Sequence, residues 1–183
     1  AMPVHKRKEW VQKLSSDVAV ELTKKPWWYI GRPEQQTPEG DWAIWLILSG
    51  RGWGKTRTGS ETIVDWIMQT PTAPDGAPTE WAVMGETFTD TRSICMDGPS
   101  GIVRALERRG LVNGEDFQYN KAAWSVKFKT GQRIHMFGAD NPDAGRGLNL
   151  SGLWADEVAK WRYSYESWHE GLAPALRIGD RPR

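Results

Sequence analysis

The stretch that decides the fold is WAIWLILSGRGWGKTRTG, residues 42–59. Its first seven residues are apolar without alternation, a pattern typical of a central strand in a parallel sheet, where both faces are buried. Three closely spaced glycines follow, at Gly50, Gly52 and Gly54. Ile63 and Ile67 then lie on one side of a helix that we expect to begin at about Gly54. The sequence therefore predicts a strand, a glycine-rich turn and a helix in direct succession.

This order, with Gly-Lys-Thr at the start of the helix, is typical of a phosphate-binding loop. Glycines let the backbone curl so that its N–H groups point at phosphate oxygens, and the helix start adds further N–H groups and a positive dipole end. We expect Lys55 to reach the β- and γ-phosphates of ATP and the Thr56 hydroxyl to bind Mg²⁺. The predicted nucleotide-binding residues of the loop are Ser49, Gly50, Arg51, Gly52, Gly54, Lys55 and Thr56.

Three positions around the loop need separate comment. Ser49 stands where the common pattern has its first glycine, and we expect Gly50 to supply the turn instead. The roles of Arg51 and Arg57 stay open, because each either contacts phosphate, contacts a neighbouring loop or is solvated.

Two acids, Asp156 and Glu157, follow a short hydrophobic stretch that we expect to be a strand. The carboxyl ends of parallel strands gather near the phosphate loop, so Asp156 is predicted to hold Mg²⁺ through water. Glu157 is predicted to polarise the water that attacks the γ-phosphate. A hydrolase needs such a base, whereas a small-molecule kinase does not need one here, and the pair therefore favours an ATP hydrolase.

The remaining pattern predicts an α/β domain with a mostly parallel sheet flanked by helices. Residues 80–84 are predicted to be a strand, 99–109 a helix, and 124–129 with 132–137 a hairpin turning at Thr130-Gly131. Residues 4–23 carry apolar side chains on one helical face. We therefore divide the chain into an N-terminal helical arm, 1–26, and a nucleotide-binding domain, 27–183.

Composition excludes some functions and leaves others open. With 24 basic and 23 acidic residues the net charge is +1, so composition alone gives no argument for nucleic acid binding. The single cysteine, Cys95, excludes a disulfide within these 183 residues. The longest apolar run, residues 42–48, is too short to cross a bilayer, and we expect no membrane partner.

Three blocks together resemble one family: GRPEQQTPEGDWAIWLILSGRGWGKTRTGSE (31–61), GETFTDTRSICMDGPSGI (85–102) and GADNPDAGRGLNLSGLWADEVAKW (138–161). Their order and spacing resemble the N-terminal ATPase domain of the large terminase subunit of tailed double-stranded DNA bacteriophages. The resemblance runs from about Trp27 to Trp168. It implies a P-loop NTPase of the additional-strand catalytic-glutamate type.

The resemblance also implies roles for single residues. Lys55 and Thr56 match the phosphate and Mg²⁺ ligands of the family, and Asp156 and Glu157 match its Mg²⁺-holding acid and catalytic base. The RPEQQ segment resembles the one that recognises adenine, through Gln35 or Gln36, with the spacing favouring Gln36 and with Trp28 as a candidate for stacking on the base.

Arg146, in AGRGLNLSG, matches an arginine finger that reaches the ATP of a neighbouring subunit. An arginine on a glycine-flanked loop can move in and neutralise charge on the γ-phosphate in the transition state. The alternative is a structural arginine that pairs with an acid such as Asp143.

The resemblance implies a motor that hydrolyses ATP with Mg²⁺ to move double-stranded DNA into a procapsid in the host bacterial cytoplasm. The implied partners are double-stranded DNA, the portal protein, the small terminase subunit and further copies of the chain in a ring, usually of five. Two other readings stay open. One is a P-loop ATPase of helicase or remodeller type, and the other is a non-catalytic nucleotide-binding assembly module in which Lys55 and Glu157 are relics.

The sequence departs from the family pattern in two respects. The nuclease domain of the family is not among these residues, so no DNA cleavage is expected of them. The family also has a further strand, rich in Thr and Ser, between the phosphate-loop strand and the Asp-Glu strand. Without it we expect a gap in the sheet, unless another segment fills it, and weak ATP binding and hydrolysis by these 183 residues alone.

Overall fold

The computed structural model describes residues 26–179 and 182–183, so the predicted N-terminal arm lies outside the described residues except for Pro26. Five strands form one sheet: β1 (Glu80–Gly85), β2 (Phe117–Asn120), β3 (Ser125–Phe128), β4 (Arg133–Gly138) and β5 (Gly152–Ala155). Their order across the sheet is β2-β3-β4-β1-β5. The predicted strand at 80–84 and the predicted hairpin are confirmed.

The sheet has a parallel core and an antiparallel extension. β1 pairs in parallel with β4 on one side and with β5 on the other, whereas β2, β3 and β4 pair antiparallel. β1 is central and buried from Trp81 to Gly85, which fits its unbroken apolar sequence. The predicted α/β class is thus confirmed, with the parallel strands concentrated at the centre.

Helices and turns surround this sheet. The α-helices are α1 (Trp27–Ile30), α2 (Lys55–Gln69), α3 (Phe88–Asp90), α4 (Ile102–Arg108) and α5 (Ser164–Glu166). α3 continues into a π-helical turn at Thr91–Met96 and α5 into another at Ser167–Leu172. Short 3₁₀ turns occupy Pro33–Gln35, Val158–Lys160 and Ala173–Ala175.

Side chains of β1 alternate between the two faces of the sheet, as the strand period of two requires. Trp81 and Val83 join one buried cluster with Ile63 of α2 and Leu106 of α4. Met84 points to the other face, where it packs with residues such as Trp161 and Leu172. Both faces of the sheet are therefore covered at β1, which lies between β4 and the edge strand β5.

The prediction of a central strand at 42–48 is wrong. Residues 42–50 form neither helix nor strand, and Ile44, Leu46 and Leu48 are 64%, 71% and 84% exposed. Trp45, Ile47 and Ser49 are half-buried between them, so the segment is extended and lies against the domain on one side only. The apolar run fits a strand, but a strand also needs a hydrogen-bonding neighbour, and no described segment lies beside it as one.

The outer edge of β5, where such a neighbour would start, is paired with Arg183. The N–H of Leu153 donates to the carbonyl of Arg183 at 2.5 Å, and the N–H of Arg183 donates to the carbonyl of Ser151 at 3.1 Å. The guanidinium of Arg183 lies over the rings of Trp42, at 4.6 Å, and Trp66, at 5.8 Å. The backbone of Arg183 thus holds the edge of β5, and its side chain lies against the start of the 42–50 segment.

The segment after the acids also differs from expectation. The spacing of Trp161, Tyr165 and Trp168 predicts that the three share one helical face. Trp161 is buried and Trp168 packs beside it, but Tyr165 is exposed, and its ring lies tilted against that of His169 with the ring centres 4.4 Å apart. The helical period is broken here because a 3₁₀ turn, a short α-helix and a π-helical turn follow one another.

In the described part of the chain, no helix combines the length and the apolar character needed to span a bilayer.

Candidate functional site

A cavity of about 880 Å³ lies where the start of α2 faces the chain that follows β5. Three segments line it: the loop that leads into α2, residues 93–100 at the end of the π-helical turn and after it, and the turn after β5. The lining residues are Arg51, Gly52, Gly54, Lys55, Thr56, Arg57, Ser93, Ile94, Gly98, Pro99, Ser100, Glu157 and Lys160. The fold therefore brings Lys55 and Thr56 to the same cavity as Glu157, about one hundred positions later, as the sequence predicted.

The glycine-rich loop turns at Gly52 and Gly54. Their φ angles, 80° and 97°, lie in the left-handed region that favours glycine. Gly54 is also the residue before α2, and a Cβ there would lie 2.8 Å from the amide nitrogen of Gln35. Gly50 does not adopt a positive φ. The turn that we expected at Gly50 is therefore made two and four residues later.

The start of α2 presents unpaired backbone donors to the cavity. The first backbone hydrogen bond of the helix runs from the N–H of Thr58 to the carbonyl of Gly54, at 2.9 Å. The N–H groups of Lys55, Thr56 and Arg57 therefore have no acceptor within the helix. Such a helix start favours a phosphate group through its free donors and its dipole.

The Lys55 ammonium is folded back onto its own loop. It donates to the carbonyls of Ser49, at 3.0 Å, and Gly50, at 3.3 Å. These are neutral acceptors, whereas phosphate oxygens are charged and form stronger hydrogen bonds with an ammonium. Lys55 thus lies close enough to the turn to bind an anion held by the loop.

Asp156 is fixed by the sheet. Its N–H donates to the carbonyl of Met84 at 2.8 Å, and its own carbonyl accepts from the indole N–H of Trp161 at 3.0 Å. Burial, and then the neighbouring charge of Glu157, raise the pKa of the Asp156 carboxyl, while Cys95, Lys55 and Lys160 act against that rise. A carboxylate with this environment favours a nearby cation, because the cation offsets both causes of the shift.

The residues present fit a magnesium ion held mainly by water and phosphate. In residues 26–179 and 182–183, no three His, Cys, Asp or Glu side chains form a cluster that would hold a metal by themselves. Magnesium in nucleotide sites typically has one or two protein ligands and keeps water and phosphate oxygens as the others. Thr56 at the start of α2 and Asp156 after β5 supply that number.

Glu157 has an unusual backbone conformation. Its φ of 50° and ψ of 44° place it in the left-handed region, which costs a non-glycine residue about 1–3 kcal/mol. This conformation turns the chain sharply after β5 and starts the 3₁₀ turn Val158–Lys160. The carboxylate of Glu157 reaches the cavity, where it forms an ion pair with the Lys160 ammonium.

The RPEQQ segment contacts the phosphate loop through Gln35. The Gln35 side chain is buried, its amide donates to the carbonyl of Trp53 at 3.2 Å, and the Arg32 guanidinium donates to the same carbonyl at 2.5 Å. Gln36 instead donates to the carbonyls of Trp27 and Arg32, at 3.3 and 3.4 Å. Gln36 does not line the cavity in this conformation, and its role in adenine recognition stays a prediction.

The aromatic residues of α1 differ in their surroundings. Trp28 is exposed and meets Tyr29 edge to face, whereas Trp27 is buried, with the Arg57 guanidinium 5.8 Å from its ring. Stacking of Trp28 on a base likewise stays a prediction.

Arg146 lies outside the cavity. Its guanidinium pairs with Asp143 at 2.7 Å and with Glu170 at 3.0 Å, and its side chain is 53% exposed. The flanking Gly145 and Gly147 both have positive φ angles. The pairing with Asp143 matches the alternative of a structural arginine. If Arg146 is an arginine finger, it would act on the ATP of a neighbouring subunit and not on its own.

Residues 46–169 match the family described as terminase large subunit, T4likevirus-type, N-terminal. The chain belongs to this terminase family. The resemblance noted in the three sequence blocks is thereby confirmed. No sequence among curated proteins matches the chain.

Solved terminase structures share the fold. The large terminase of a thermophilic bacteriophage, in complex with ADP, superposes with a TM-score of 0.57 at 21% identity, covering 87% of this chain and 36% of that one. The same terminase in complex with ATP-γ-S gives a TM-score of 0.54 at 21% identity, covering 88% and 36%. The ATPase domain of the large terminase of a Thermus phage gives 0.52 at 20% identity, covering 69% and 52%. The predicted P-loop fold is confirmed, and this terminase chain spans between about a third and a half of the length of these structures.

Sequence reasoning missed two parts of the terminase site. Lys160 was not singled out, although residues i and i+3 of a 3₁₀ turn lie above one another and the spacing from Glu157 to Lys160 is three. Residues 93–100 belong to one of the three matching blocks, but no short motif marks them as part of the site. Arg51 and Arg57, whose roles were open, both line the cavity, and Arg57 also pairs with Glu61 at 3.4 Å.

Proposed function

We propose that the chain is the ATPase motor domain of a DNA-packaging terminase, which hydrolyses ATP to move double-stranded DNA into a procapsid. The observation that carries this proposal is the shared cavity of Lys55, Thr56 and Glu157, with Asp156 between the end of β5 and Glu157 in the chain. Family membership supports the motor role, and the structures of relatives with ADP and ATP-γ-S support an adenine nucleotide as the substrate.

Each site residue has a physical role in hydrolysis. Lys55 and the free N–H groups of α2 bind the β- and γ-phosphates, and the Thr56 hydroxyl and the Asp156 carboxylate are the groups that would hold Mg²⁺. The ion would neutralise charge on the phosphates. Glu157 accepts a hydrogen bond from the attacking water, whose oxygen bonds to the γ-phosphorus as the bond to the bridging oxygen breaks. The proton released by the water passes to Glu157, and ADP and phosphate leave.

The partners proposed for this motor are double-stranded DNA, the portal protein, the small terminase subunit and further copies of the chain in a ring. Arg146 suits action between subunits because it is exposed, lies on a glycine-flanked loop and does not line its own cavity. An arginine finger acting on a neighbouring active site would couple hydrolysis to the ring. We expect hydrolysis by these 183 residues alone to be weak.

The test is the substitution Glu157→Gln in the assembled terminase, with Lys55→Ala as a matched variant. Removal of the base should lower hydrolysis about 100- to 10,000-fold and abolish packaging while ATP-γ-S still binds. Lys55→Ala should instead abolish nucleotide binding. Packaging that survives Glu157→Gln would overturn the proposal and favour a non-catalytic assembly module. Stimulation by RNA or protein in place of double-stranded DNA would favour a helicase or remodeller.

A further inference from the structure

The ion pair between Glu157 and Lys160 lies within the cavity and not on an unrelated surface. Both side chains line it, with the Glu157 side chain 43% exposed and the Lys160 side chain 62% exposed. Glu157 is the residue proposed to hold the attacking water. The Lys160 ammonium is therefore paired with the carboxylate that hydrolysis requires.

The turn that carries the pair is fixed, but the lysine side chain is not. The N–H of Lys160 donates to the carbonyl of Glu157 at 2.8 Å, and the next residue, Trp161, is buried and donates to Asp156. The backbone of the turn is thus anchored to the sheet and to the core. The four-carbon stem of Lys160 is solvated beyond that anchor and can place its ammonium on a different anion in the same cavity.

Besides Arg51, two other cationic side chains line the cavity, and both have partners of another kind. Lys55 is bound to neutral carbonyls of its loop, and Arg57 pairs with Glu61, which is buried outside the cavity. Of these three residues, Lys160 is the one whose partner is the proposed catalytic base. A γ-phosphate entering the cavity brings negative charge that competes with Glu157 for this ammonium.

We propose that Lys160 is a γ-phosphate-binding residue that holds Glu157 until ATP enters and then exchanges it for the γ-phosphate. This inference rests on the proposed function of Glu157. In the absence of ATP the ion pair keeps the carboxylate from binding water. When the γ-phosphate takes the ammonium, Glu157 becomes free to accept a hydrogen bond from the attacking water. ADP lacks the γ-phosphate and leaves the pair intact, so Lys160 distinguishes ATP from ADP.

The first experiment compares the binding of ATP-γ-S and ADP to the assembled terminase and to its Lys160→Gln variant, in which the side chain keeps most of its length and loses its charge. We expect Lys160→Gln to weaken ATP-γ-S binding about tenfold, because a charge-assisted hydrogen bond to the γ-phosphate is lost. ADP binding should change less than about twofold, and Lys160→Arg should restore most of the ATP-γ-S affinity.

The matched control is Lys121→Gln. Lys121 is an exposed lysine in an ion pair with Asp97, at 3.2 Å, and lies outside the cavity. We expect Lys121→Gln to leave the binding of both ATP-γ-S and ADP unchanged. If Lys160→Gln behaves like this control, the pair of Lys160 with Glu157 is an ordinary surface ion pair, and the inference is wrong while nucleotide binding by Lys55 still stands. Failure of the assembled terminase with the parent sequence to bind either nucleotide would overturn both proposals.

A double-mutant cycle tests the exchange itself. Glu157→Gln should tighten ATP-γ-S binding, because Lys160 then no longer has to leave a carboxylate. Simple repulsion between Glu157 and the γ-phosphate would give the same tightening, but that effect would persist in the Lys160→Gln background. The exchange predicts that the gain shrinks to less than about twofold in Lys160→Gln. A gain of equal size in both backgrounds would refute the inference.

Discussion

The two sides of the candidate site are held by different means. On the acidic side, Asp156 follows β5 and is fixed by a backbone hydrogen bond to Met84. On the phosphate side, the residues before the loop lie outside the sheet, and the carbonyl of Trp53 is held instead by the side chains of Arg32 and Gln35. The backbone positions the acids, whereas α2 and a few side chains position the phosphate loop. The loop should therefore depend more strongly on single polar side chains than the acids do.

On the phosphate side, we expect the largest loss of stability from a substitution of Glu61, whose ion pairs join α2 to α4. Its buried carboxylate pairs with Arg108 at 2.7 Å, with Arg109 at 2.6 Å and with Arg57 at 3.4 Å. Glu61→Gln leaves these guanidinium groups with too little negative charge, and we expect the free energy of unfolding to fall by about 3–5 kcal/mol in urea titrations.

Glu107→Gln provides the control for this prediction. Glu107 also pairs with an arginine, Arg104, but both side chains are substantially exposed. Its loss should change stability by less than about 0.5 kcal/mol. If the two substitutions have equal effects, the buried ion cluster does not fix α2, and the contrast between the two sides is lost.

On the acidic side, we expect stability to depend on the packing around Gly152 in β5. A Cβ at Gly152 would overlap the Trp81 ring and lie 2.8 Å from the carbonyl of Arg183, and the buried ring has little room to move. We expect Gly152→Ala to lower the free energy of unfolding by about 1–3 kcal/mol. Gly50→Ala, where an added Cβ meets nothing within 4 Å, should leave stability nearly unchanged. Equal unfolding curves for Gly152→Ala and the parent chain would show that the edge of β5 is not tightly packed.

Substitutions of Gln35 and Gln36 separate two roles near the phosphate loop, namely holding the loop and recognising the base. Gln35→Ala removes one donor to Trp53, and we expect a loss of about 1 kcal/mol in stability together with weaker binding of both ATP and GTP. If Gln36 reads the adenine edge, Gln36→Ala should instead lower the preference for ATP over GTP. Competition binding with the two nucleotides checks both. An unchanged preference in Gln36→Ala would remove the predicted adenine role.

Local patterns predicted most of the fold, and non-local pairing explains the main error. The helix that begins at Lys55, the strand at β1 and the β3–β4 hairpin follow from periodicity and turn residues that lie within each segment. The run 42–48 has the composition of a buried strand, but composition does not say which segment will pair with it. In the structure the edge of β5 pairs with Arg183, at the other end of the described chain from Leu48.

The candidate site was predictable to the extent that it follows from topology. The rule that parallel strands end at one edge of a sheet predicted that Glu157 lies near Lys55, and both line the cavity, although residues 42–48, to which the rule was applied, form no strand. The hydrogen-bonding partners of single side chains were harder to predict from the sequence. The sequence favoured Gln36 by spacing, yet Gln35 is the residue that contacts the loop, because the 3₁₀ turn Pro33–Gln35 directs it there. The backbone dihedral angles within a turn decide which side chain makes such a contact, and the spacing of a sequence motif does not specify those angles.

The smallest expected effect concerns the charge of Asp156. Burial and the nearby Glu157 raise the pKa of this carboxyl above its unfolded value, so the folded protein binds its proton more tightly than the unfolded chain does. The contribution of Asp156 to stability is therefore present below the unfolded pKa and is lost as pH rises through the folded pKa. Asp156→Asn should stabilise the protein at about pH 7 in the absence of Mg²⁺ and nucleotide, and the gain should vanish at acidic pH. Urea unfolding at the two pH values checks this. A substitution that destabilises the protein at neutral pH would mean that the charge of Asp156 is already compensated by Lys55 and Lys160, and that the acidic side holds its carboxylate without the help of a metal ion.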